Sequence, residues 1–159
     1  MKEANRFFKK FQDSTVGGIN TCMIGQIERF DSKQMKADVT LLPEGQLVIE
    51  VPVMTFQTGD FYIRVPYEPG DKVAVIFAQR DIDGILRGGD ANPSQRKLSL
   101  DDAIVMGGIN LYTDEPLPEE DAGDLVIGKR NKKSKIVMKA DTDDIEVTCK
   151  EFKVNGKVI

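Results

Sequence analysis

Period-two alternation constrains this chain more than any other feature. In QMKADVTLL, Met35, Ala37, Val39 and Leu41 fall on one face, and Lys36, Asp38 and Thr40 on the other. That pattern marks a β-strand with one buried and one wet face. The period recurs in QLVIEVPVM, where it predicts Leu47, Ile49, Val51 and Val53 on one side. Pro52 puts the end of that strand at an edge. TCMIGQIERF reads as a buried strand with a bulge or bend at Gly25, and KVAVIFAQ as the most buried strand of the chain. Turns separate these runs at Asp31–Lys33, Pro43–Gly45, Tyr67–Asp71 and Asp81–Gly84. Pro69-Gly70 suits a type II turn. SLDD at Ser99–Asp102 is a cap for a very short helix, and AIVMGGINLY is a last strand broken at Gly107-Gly108. About five twisted antiparallel strands with one short helical turn suit a small Greek-key barrel, the OB fold first among them. Other small barrels share the spacing.

The flanks differ. At the start, Ala4, Phe7, Phe8 and Phe11 stand at i, i+3, i+4 and i+7, one face of a short amphipathic helix within residues 1–18. That face either packs on its own domain or docks on another subunit or partner. The barrel occupies 19–113. TDEPLPEEDAGD then carries two prolines and six acids, and residues 114–124 read as a linker. The basic stretch after it holds Lys129, Arg130, Lys132, Lys133 and Lys135, either a solvated face or a contact for a polyanion. Residues 125–159 end in KSKIVMKADTDDIEVTCKEFKVNGKVI, whose apolar residues alternate as three short strands. Strands this few and short do not build a core alone.

Composition removes whole classes of function. The chain has no histidine, which excludes HExxH zinc sites and every His-based nucleophile pair. Cys22 and Cys149 form no CxxC and read as small core residues. With 40% apolar and 30% charged residues in 159 the chain is globular, and no run reaches the length of a membrane span. The N-terminus has no apolar h-region, so the expectation is synthesis in a cytoplasm without a signal peptide. A net charge of -4 argues against nucleic acid as the main partner. Phe56, Phe61, Tyr62 and Arg64 are the one cluster resembling a base-stacking platform. DIDG reads as a tight turn: an EF-hand loop requires glutamate at position twelve, which is Asn92 here, so no metal is expected. GGDANPSQRK and MGGIN match no phosphate-binding pattern, and no cofactor is expected.

Three blocks, INTCMIGQIERFDSKQMKADVTLLP, FYIRVPYEPGDKVAVIFAQRDIDGILRGG and SLDDAIVMGGIN, carry a resemblance by their order. From about Ile19 to Asn110 the chain resembles the N-terminal domain of the central-spike, or membrane-puncturing, proteins of contractile-tailed bacteriophages. The resemblance implies an OB domain, three copies about a tail axis, and a C-terminal three-chain intertwined β-helix. It implies a place in the baseplate of a virion tail or tail-like particle, driven against the host envelope on contraction. Many relatives bind iron at the tip through an HxH pattern, which a chain without histidine lacks. The post-barrel part is also short, as in a reduced spike or in a hub that carries a separate tip protein. In this reading Ile136, Met138, Ile145, Val147, Phe152 and Val154 are each chain's share of a trimer core, and Phe7, Phe8 and Phe11 dock a baseplate partner. The expected protein is structural and not an enzyme. The alternative is an OB-type single-strand-binding protein.

Overall fold

The computed structural model describes residues 6, 9–10, 21–89, 94–154 and 157–158. Arg6, Lys9 and Lys10 are helical and exposed. Phe7, Phe8 and Phe11 lie outside the described residues. The described chain is mainly β, with antiparallel sheets, and divides into two compact units, Met1–Leu111 and Tyr112–Ile159. None of its described helices is long and apolar enough to cross a membrane.

In the first unit β1 (Cys22–Asp31), β2 (Lys36–Leu42) and β3 (Gln46–Pro52) form a meander. The short strands β4 (Phe56–Gln57) and β5 (Tyr62–Ile63) pair as a separate ribbon. β6 (Lys72–Phe77), the one-turn helix α1 (Asp83–Leu86) and β7 (Ala103–Gly108) follow. The main sheet has the order β3-β2-β1-β6-β7. It curls until Val53, just past β3, bridges Val105 of β7 in parallel, with Met54 N–H donating to the Val105 carbonyl at 2.8 Å. A five-stranded Greek-key barrel results.

Alternation builds the barrel's interior. Ile27, Ala37, Val39, Leu41, Val51, Val53, Val73, Val75, Phe77, Ala103 and Val105 are buried together. Phe30 leans on them edge-on to Tyr67, with ring centroids 5.5 Å apart. The turns follow their chemistry. Gly70 has φ +100° and Asp71 N–H donates to the Glu68 carbonyl, as a type II turn requires. Ser99 Oγ accepts from Asp101 N–H and caps the 3-10 turn Leu100–Asp102.

Three local expectations are corrected. In β3, Leu47 and Ile49 are exposed, and it is Val48 that pairs with Val39 and packs on the core. Ile49 and Glu50 together oppose Asp38, and Glu50 takes φ +55° with its N–H on Asp38 Oδ1. This bulge shifts the strand's phase before Val51. In β1 the pairing shift falls between Ile27 and Arg29, not at Gly25. Gly25 is required for space: a Cβ there would collide with Val39 Cγ1 and stand 2.9 Å from Val75 Cγ2. Both cysteines are exposed rather than in the core. Cys22 lies on the outward phase of β1, and Cys149 comes just after the last strand of its sheet.

Gly25→Ala is therefore expected to overpack the barrel and lower stability by about 1–3 kcal/mol. Urea unfolding followed by circular dichroism measures it. An unchanged midpoint would show that Val39 and Val75 move aside without cost.

Candidate functional site

The second unit poses a different packing problem. Here β8 (Leu125–Gly128), β9 (Lys135–Met138) and β10 (Ile145–Thr148) form a meander in the order β10-β9-β8. β11 (Lys153–Val154) and β12 (Lys157–Val158) pair antiparallel on either side of Asn155-Gly156. Register puts Leu125, Met138 and Ile145 in one cross-strand row, and Ile127, Ile136 and Val147 in the next. Both rows occupy one face. These six side chains are 41–65% exposed, and they make that face wholly apolar.

The opposite face is covered in part by its own chain, with Val126 and Glu146 still exposed there. Lys135, Val137 and Lys139 point there, with Val137 fully buried. The segment read as a linker supplies the cover. Its 3-10 turn Glu119–Asp121 buries Asp121, which pairs with Lys135, while Asp124 pairs with Lys139 at 3.0 Å. Asp124 also accepts the Ala140 N–H, and that bond together with Lys139 holds its carboxyl below the usual range. So the acidic segment pairs with basic residues that sequence alone could only read as a charge run. Among the described residues Val137 is the one buried apolar side chain of this unit.

This assigns places to the sequence-derived residues. Ile136, Met138, Ile145 and Val147 share the apolar face; Phe152 is exposed beyond β10, and Val154 lies in β11. Leu125 and Ile127 complete the face and escaped sequence reading, although the run LVI was a visible strand signal. The basic set is dispersed. Lys135 turns to Asp121, Lys132 pairs with Glu120 at 2.7 Å, and Arg130 donates to the Glu115 carbonyl. Lys129 and Lys133 are exposed.

The first unit holds two further features. On the ribbon β4–β5, Phe56, Phe61 and Tyr62 are exposed, and the Arg64 guanidinium lies 5.4 Å from the centre of the Tyr62 ring. At the other feature, Asp81, Asp83 and Asp102 gather around Arg96. Asp81 accepts from Ser94 and from Asp83 N–H, and with Arg96 nearby its pKa falls to about 2. An aspartate is ordinarily near 4 when unfolded, so Asp81 stabilises the fold above that pH and loses the contribution as pH falls from about 4 to 2. Asp81→Asn is expected to flatten the fall in melting temperature across that window. Equal acid sensitivity in thermal melts of both proteins would contradict this.

The first unit is thus a β-barrel, and the second a small sheet with one bare apolar face. Residues 23–108 match the family model described as the phage protein Gp138 N-terminal domain, and this defines a phage structural protein. The match spans more than half of the chain, and the chain belongs to that family. No curated protein matches it.

Proposed function

We propose that the chain is a central spike or hub of the baseplate of a contractile phage tail or tail-like particle, acting as a homotrimer. The observation that carries this reading is the apolar face of β8–β9–β10 on a unit with almost no core of its own. Such a face is buried economically when copies close around a threefold axis and each contributes one side of a shared interior. The residues after the barrel then act as an intertwined stub. Rigidity comes from that shared core, and the force of contraction is delivered through it to the host envelope. No catalysis is involved. Lys129 and Lys133, repeated around the axis, present positive charge to anionic envelope polymers. Light scattering of the full chain tests the assembly: a threefold mass is expected, and a single-chain mass overturns it. Antibody against the chain should decorate the baseplate in electron micrographs of particles; decoration elsewhere sinks the placement.

The exposed Phe56, Phe61 and Tyr62 with Arg64 support a second reading, single-stranded nucleic-acid binding. It predicts salt-dependent binding that disappears when Phe61, Tyr62 and Arg64 are replaced by alanine. The net charge of -4 weighs against it.

A further inference from the structure

We propose that Asp81, Asp83 and Asp102 form a binding site for a divalent cation of calcium's size. Asp81 precedes α1, Asp83 opens it, and Asp102 ends the 3-10 turn that leads into β7. One oxygen from each carboxylate lies within 4.8 Å of the other two. Asp81 Oδ1, Asp83 Oδ2 and Asp102 Oδ1 all stand 2.9 Å from a single atom, Arg96 Nη2. That nitrogen carries two hydrogens, so it cannot give each of three oxygens its own hydrogen bond. Three carboxylates converging on one point is the arrangement of a coordination shell around a point charge, and Arg96 holds the position such an ion would take.

A second observation concerns the other oxygen of Asp102. The Asp102 side chain is fully buried, and its Oδ2 has no hydrogen-bond partner. Asp102 Oδ1 accepts from Ile82 N–H and Arg96 Nη2, so the guanidinium serves only one of its oxygens, and Arg96 Nε is itself buried without an acceptor. A buried carboxylate oxygen lacking a donor is costly. A cation bound by both oxygens of Asp102 removes that cost. Charge agrees: the carboxylates outweigh the guanidinium by the charge of a divalent ion. Calcium accepts irregular oxygen sets at about 2.3–2.6 Å, whereas magnesium demands a near-ideal octahedron. Arg96 is partly exposed and can swing outward when the ion enters.

The EF-hand test fails on this segment because it looks for ligands within one loop. Here the decisive ligand, Asp102, comes from beyond the loop and is brought in because β6 and β7 are neighbours in the barrel. The ion would tie the turn after β6 to the start of β7. The site lies in the first unit, and the proposal does not rest on the trimer reading.

The test uses the full chain stripped with EDTA and titrated with calcium chloride by calorimetry, with thermal melts in calcium, magnesium or EDTA. One calcium per chain is expected, with a higher melting temperature in calcium than in magnesium. Asp83→Asn should weaken binding at least tenfold while the protein stays folded, since Asp83 is half exposed and bonds only Arg96. Arg96→Gln should melt earlier in EDTA, recover in calcium and bind more tightly than the parent. Absence of heat and of any melting shift in the parent protein overturns the proposal. So does binding that Asp81→Asn and Asp83→Asn leave unchanged, because that assigns the ion to another acidic surface such as the Asp141–Asp144 turn.

Discussion

Ile145→Asp combined with Val147→Asp is expected to leave the protein monomeric. Both residues lie in β10, one in each apolar row, and both are exposed within their own chain. Replacing them costs the single chain little, because their side chains lean on little of it. In a trimer the same carboxylates enter an apolar interior without partners, and each buried unpaired charge costs several kcal/mol. Repeated in every copy, that exceeds what a small interface supplies. Light scattering should give a threefold mass for the parent and a single-chain mass for the variant, with matching circular dichroism. A trimer that survives both substitutions would place assembly outside this face.

Arg96→Ala, measured in EDTA, is expected to lower the urea midpoint of the barrel clearly, because it strips the cationic partner from a buried carboxylate. Asp102 is fully buried and Arg96 is its cationic partner. The guanidinium also joins Asp81 and Asp83 to it, so its loss leaves like charges facing one another. Pairing the change with Asp102→Asn should recover much of the loss in urea unfolding, because the buried charge goes with its partner. An unchanged urea midpoint for Arg96→Ala would mean that the carboxylates protonate or hydrate without effect on the fold.

The barrel was legible because its signals are local. Alternation in Met35–Leu41 and Lys72–Phe77, and a glycine at the φ-positive place of its turn, do not depend on distant chain. The phase of β3 was not legible. Its bulge rests on Asp38 in the neighbouring strand, which accepts the Glu50 N–H and pairs with Arg29. No pattern within QLVIEVPVM announces that partner. The role of Gly25 was hidden for the same reason, since the space it leaves is filled by Val39 and Val75 from two other strands.

Both functional features divide along that line. Sequence by itself determined that residues 125–159 alternate, that Ile136, Met138, Ile145 and Val147 share a face, and that no histidine chemistry is possible, because periodicity and residue type travel with the chain. Only the tertiary structure decided that Leu125 and Ile127 widen the face, and that Asp121 and Asp124 cover its back. It also decided that Asp102 meets Asp81 and Asp83 around one arginine. Those arrangements follow from strand register and charge pairing between segments far apart in sequence, where long-range contacts select among partners that the local chain leaves equivalent.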